Sequence, residues 1–127
     1  MIAADTSTWI AFLEGAPGHD TQLLDQALAD RRLVMVPAVL TELLSDPSLS
    51  SAVATELIDV PMIDLDPGYW QRAGLLRAQV LFNGRKARLG DALIAQTCLD
   101  RNVRLLTRDK DFRAFAGAAQ LHVIFDR

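Results

Sequence analysis

The sequence predicts an α/β fold with a mostly parallel sheet, on three observations. Five short apolar segments, at residues 2–5, 33–36, 62–64, 104–107 and 122–125, are bounded by turn or cap residues and read as strands. Helical patterns lie between them. Half of the 127 residues are apolar, enough to pack a core within one domain spanning residues 1–127. Strands alternating with helices give a parallel sheet covered on both faces, here a three-layer α/β/α arrangement around five strands.

The elements follow in order. The first strand closes on Asp5, and Thr6 or Ser7 is placed to cap a helix over 8–14. Segment 22–29 sets Leu23, Leu24, Ala27 and Leu28 on one helical face. Pro37 stands where a helix start tolerates proline and opens a helix over 38–45. A short helix is expected over 50–58 and a longer one over 67–81, ended by Asn83 and Gly84. Gly90 and Asp91 open a helix over 92–100, and a last turn covers 110–115. Parallel strands bring their C-terminal ends to one edge, where ligands bind in such folds.

Composition narrows the function classes. No apolar run approaches the ~20 residues of a membrane span. No export signal is visible at the N-terminus, and the single cysteine, Cys98, cannot form an internal disulfide; both point to the cytoplasm. The net charge of −3 argues against a generic basic nucleic-acid binder. Yet residues 1–71 hold 11 acidic and 2 basic side chains, whereas residues 72–113 hold 10 basic and 4 acidic ones. One surface is thus suited to a polyanion although the whole chain is acidic.

The carboxylates carry the chemistry. Asp5 ends the first strand; Asp109 and Asp111 follow Thr107, which ends a later one. Glu42, one of three glutamates, sits among Val39, Leu40, Leu43 and Leu44. Asp91 begins an apolar helix, with Cys98 on the same face. Each acid has a plain structural alternative: a helix cap for Asp5 and Asp91, a buried arginine partner for Glu42, a turn for Asp109 and Asp111. Together, at one sheet edge, they repel one another and call for a cation. Carboxylates without histidine or cysteine companions suit a hard ion, Mg²⁺ or Mn²⁺, rather than zinc. Such an ion suits phosphodiester chemistry. Ser7 and Thr107 are placed to hydrogen-bond the acids or the ion's waters. Arg85, Lys86 and Arg88, with Arg108, are candidates for phosphate contacts, the alternative being a solvated loop. Trp9 and Trp70 are expected to pack, and His19 and His122 receive no role.

Four stretches, "AADTSTWI", "VPAVLTELL", "LGDALIAQTCLDRNVRLLTRDKDF" and "LHVI", resemble a PIN-domain ribonuclease, and the length and layout are similar to VapC-type toxins of bacterial toxin–antitoxin pairs. The resemblance covers nearly the whole chain. It implies a PIN-like fold and catalytic acids at Asp5, Glu42, Asp91 and Asp109. Those acids would hold divalent metal, with Asp111 assisting or replacing Asp109. It further implies supporting hydroxyls at Thr6, Ser7 and Thr107. The implied activity is a metal-dependent endoribonuclease cutting RNA, often transfer or ribosomal RNA, to leave a 5′-phosphate and a 3′-hydroxyl. The implied partners are a cognate antitoxin and a second copy in a homodimer. Two rivals stand beside this reading. One is a receiver-like phosphoacceptor with Asp64 as acceptor, Thr107 as switch hydroxyl and Lys110 as phosphate-binding lysine. The other is a non-catalytic PIN-like binding module.

Overall fold

Ile2, Ala3 and Ala4 are all buried, as a parallel strand covered on both faces requires, and they form β1 (Ile2–Ala4) in the computed structural model, which describes residues 1–125. Helices α1 (Thr6–Leu13), α2 (His19–Ala29), α3 (Pro37–Leu44), α4 (Ser51–Asp59), α5 (Tyr69–Phe82) and α6 (Leu89–Arg101) follow. The chain closes with β2 (Arg104–Thr107), α7 (Phe112–Ala119) and β3 (Val123–Phe125). The sheet order is β1-β2-β3, both pairings parallel, with Ala4 beside Leu106 and Thr107 beside Phe125.

Five strands are expected from the sequence; the described residues form three, and the segments around Leu33 and Met62 make isolated parallel bridges. Leu33 bridges Ile2 and Met35 bridges Met62. Proline explains the brevity. Pro37 begins α3 directly after Val36, and Pro61, with no N–H to give, only accepts from Met35. The sheet's hydrogen bonding therefore continues past β1 without lengthening into ladders.

Several boundaries move for local reasons. Asp5, rather than Thr6 or Ser7, is the N-cap of α1, because its extended backbone lets Oδ1 accept from the Thr8 N–H at 3.1 Å. Asp91 lies inside α6 rather than ahead of it: Arg88 takes the extended cap conformation and the helix starts at Leu89. Asn102, left-handed at φ 52°, ends α6 and turns the chain into β2. Gly84, at φ 75°, does the same after α5.

Helices α1 and α2 pack on each other and on β1 and β2, whereas α5, α6 and α7 pack on one another. Phe112 and Phe115 of α7 are fully buried, joined by Leu105, Leu106 and Ile94. Of the leucines singled out in the sequence, Leu24 and Leu43 are buried, Leu23, Leu28 and Leu40 pack partly against the core, and Leu44 is exposed. Trp9 is buried, but Trp70 is 65% exposed, its ring edge-on to Tyr69. Tyr69 occupies the inward position because its hydroxyl donates to the Leu93 carbonyl. Among the described residues no helix is long and apolar enough to cross a membrane.

Candidate active site

The C-terminal edge of the sheet gathers the acids. Asp5 follows β1, the loop after β2 carries Asp109 and Asp111, and the first turn of α6 carries Asp91. Asp91, Asp109 and Asp111 each offer an oxygen, and these oxygens lie within 4.8 Å of one another. The loop is shaped by its own bonds. Thr107 Oγ1 accepts from the Asp109 N–H at 2.9 Å, and Asp109 Oδ1 accepts from the Asp111 N–H at 2.9 Å.

Asp5 is buried and held on both oxygens. Oδ1 accepts from the Ser7 hydroxyl at 2.7 Å and from the Thr8 N–H; Oδ2 accepts from the Thr107 hydroxyl at 2.6 Å. Burial pushes its carboxyl above the usual range, the donors of Thr107, Ser7 and Thr8 oppose this, and the charge of Asp109 adds to the rise. Asp91 is pushed up to about 6, first by burial and then by Asp109, with Arg88 opposing and Asp111 and Asp5 adding. These electrostatic links join Asp5 to the three-acid cluster.

Glu42 is exposed, not buried among its leucines, since Val39 and Leu43 point inward and leave Glu42 on the outer face of α3. Its Oε1 accepts from the Thr6 hydroxyl at 2.7 Å. Its Oε2 lies 3.8 Å from the point a β-carbon would occupy on Gly90, the residue before Asp91. Glu42 therefore stands at the rim of the acidic cleft.

Whether this site suits a cation can be judged from Asp91. Its Oδ2 is buried and has no hydrogen-bond partner. A carboxylate oxygen deprived of both water and donor is costly, and a bound cation relieves both this and the repulsion of Asp109 and Asp111. The cluster contains no histidine or cysteine, so its donors fit a hard divalent ion.

Basic groups flank the cluster. Arg85, Lys86 and Arg88 are exposed in the segment that precedes α6, and the Arg77 guanidinium steadies that segment by donating to the Ala87 carbonyl at 2.8 Å. Lys86 Nζ lies 3.4 Å from Asp111 Oδ2. Arg108 is placed differently: Nε donates to Asp20 Oδ2 at 2.8 Å and Nη2 to Oδ1 at 3.0 Å. Asp20 and Thr8 carry no sequence signal, yet both are fully buried beneath the site. Burial pushes the Asp20 carboxyl up, but Arg108, Thr8 and the Thr21 N–H hold it below the usual carboxylate range.

Other candidates fall elsewhere. Asp64, the acceptor of the receiver-like reading, is exposed in a hollow it shares with Met1, Arg101 and Val103, where β1 and β2 begin rather than end. Cys98 is a buried thiol, pushed up to about 12 by burial and by Asp5.

The family model of the PIN domain matches residues 2–118. The chain is 27% identical over 126 residues to Ribonuclease VapC5 of Mycobacterium tuberculosis (strain ATCC 25618 / H37Rv), covering 94% of this chain and 91% of that one. Its fold is similar to that of VapBC-5, a member of the VapBC family of toxin–antitoxin systems from Mycobacterium tuberculosis (24% identity, TM-score 0.67, 98% of this chain and 97% of that one). VapBC2 from Rickettsia felis, bound to a DNA fragment from its promoter, is also similar in fold (21% identity, TM-score 0.75, 98% of both chains). The carboxylate-lined sheet edge and the match over residues 2–118 lead to one conclusion: this chain belongs to the PIN-domain family.

Proposed function

We propose that this chain is a metal-dependent endoribonuclease of the VapC type, acting as the toxin of a toxin–antitoxin pair. The observation that carries the reading is the unpartnered, buried Oδ2 of Asp91 beside Asp109 and Asp111. The 27% identity to a VapC ribonuclease over 94% of this chain supports the same activity. In this reading Asp91, Asp109 and Asp111 hold Mg²⁺ or Mn²⁺, and Asp5 and Glu42 complete the acidic wall. A divalent ion in such a site supplies a water of lowered pKa and neutralises charge on a phosphoryl oxygen. Asp5, locked by three donors, keeps its carboxylate fixed beside the cluster. Glu42, held by Thr6 through one oxygen, keeps the other to orient a water. The reaction is hydrolysis of an RNA phosphodiester to a 5′-phosphate and a 3′-hydroxyl, with transfer or ribosomal RNA as the substrate. A cognate antitoxin covers the site until release. The buried lone thiol, Cys98, is in keeping with a reducing cytoplasm.

The test is direct. Purified chain, free of partner, is expected to cut RNA in Mg²⁺ or Mn²⁺ and to stop in excess EDTA; cutting unaffected by EDTA would remove the metal from the reading.

Arg85, Lys86 and Arg88 are the proposed phosphate contacts. Replacing all three with alanine is expected to weaken RNA binding across sequences and to flatten the dependence of log K on log salt by roughly 2, at ~0.7 per lost single-strand contact. An unchanged salt slope would return them to a solvated loop. A homodimer is the proposed assembly, supported by the exposed apolar side chains of Trp70 and Leu89, which line one groove. Light scattering is expected to give twice the chain mass, and Trp70→Glu to shift it toward the monomer.

A further inference from the structure

We propose that Asp20 and Arg108 are positioning residues that set the geometry of the acidic site from beneath, a role that rests on the divalent-ion site of the reading above. The two are 88 residues apart in the chain, and their side chains meet in a two-pronged ion pair. The Asp20 side chain is fully buried; that of Arg108 is 28% exposed. Arg108 Nη2 also donates to the Pro17 carbonyl at 2.8 Å, tying the loop after β2 to the start of α2.

Both partners reach Asp5 through one intermediary. On the Asp20 side, Thr8 donates its hydroxyl to Asp20 Oδ2 at 2.9 Å and its backbone N–H to Asp5 Oδ1 at 3.1 Å. On the Arg108 side, the backbone N–H of Arg108 donates to Ser7 Oγ at 3.0 Å, and the Ser7 hydroxyl donates in turn to Asp5 Oδ1 at 2.7 Å. Arg108 also stands between Thr107, which holds Asp5 Oδ2, and Asp109 of the three-acid cluster. The clasp thus fixes one Asp5 oxygen from two directions and anchors the loop that carries Asp109 and Asp111. A guanidinium suits this task because its planar fork grips a carboxylate at two points; lysine has no such fork. A buried ion pair is weak evidence for stability.

The test uses the whole chain, with Mn²⁺ alone as probe beside RNA cleavage. Arg108→Lys keeps the charge and loses the fork. The double variant Asp20→Asn, Arg108→Gln removes both charges together, so neither is left buried and unpaired. We expect both to unfold cooperatively and to bind Mn²⁺ 10–100-fold more weakly, as loss of a metal ligand's outer partners does. We expect kcat to fall by about the same factor and KM to stay within about twofold. Wild-type Mn²⁺ affinity and kcat in the double variant would make the pair a mere fold element and overturn the proposal. A raised KM at unchanged kcat would overturn it too, by making Arg108 a phosphate contact. Failure of both variants to fold would count the same way. If the wild type cuts no RNA but the variants still lose Mn²⁺ affinity, the ribonuclease reading falls and the positioning role stands. A wild type that binds no Mn²⁺ removes both.

Discussion

Asp91→Asn is expected to lose RNA cleavage by at least ~100-fold, because even the outer partners of metal ligands typically contribute 10–100-fold. The same substitution is expected to stabilise the metal-free protein. Folding moves the Asp91 carboxyl from 3.8 up to about 6, by burial first and Asp109 second. The folded state therefore holds a proton that the unfolded state releases. The stabilisation from that proton is complete below about 3.8 and is lost as the pH rises through about 6. At pH 7.5 in EDTA the wild type carries a charge beside Asp109 and Asp111, whereas asparagine is neutral and offers them an N–H donor. A rise in Tm of roughly a few degrees follows for a domain of this size, shrinking toward zero near pH 4. Saturating Mn²⁺ reverses the order, since only the wild type gains the linkage free energy of a tightly bound ion. Thermal melts at several pH values, with EDTA and with Mn²⁺, check both signs. A variant that cuts RNA as the wild type does would remove Asp91 from the catalytic assignment.

What the sequence revealed depended on how local the signal was. Asp5, Asp91 and the pair after Thr107 are legible because each terminates or opens an apolar segment, and parallel topology sends such positions to one edge. Glu42 is legible as an oddity, but its exposure is not. One-dimensional neighbours do not say which side of a short helix faces the core, and Val39 and Leu43 are the residues of α3 that are buried there. The segments at Leu33 and Met62 have strand-like composition, yet pairing is a property of two segments, and Pro37 and Pro61 leave too few free residues for a ladder. Asp20 was out of reach. An acid in the first turn of a helix normally faces water and favours the helix dipole; here it is buried because a guanidinium 88 residues away comes down on it. Trp70 errs in the opposite direction: a large aromatic ring predicts burial, but the Tyr69 hydroxyl has the inner bond to Leu93 and Trp70 is left outside.

Asp5→Ala is expected to lose cleavage as fully as Asp91→Asn, but with the opposite sign on stability. Three contributions set that sign. The carboxylate is the N-cap of α1, and truncating such a cap to alanine costs about 0.5–2 kcal/mol. It also accepts the hydroxyl of Thr107, which is fully buried, and a buried donor left unmade costs about 1–3 kcal/mol. Against these, removal relieves a buried charge that Asp109 repels. The two losses exceed the one gain, so destabilisation of about 2 kcal/mol is expected in urea unfolding with EDTA. Asp5→Asn separates the roles. Its carbonyl oxygen can still accept from the Thr8 N–H, and its amide can donate to Thr107 Oγ1, so stability stays near wild type while cleavage is still lost. Equal destabilisation by both substitutions would mean that charge, not the cap, holds α1 against β1. Retained cleavage in Asp5→Asn would mean that the shape of this side chain, and not its charge, serves the site.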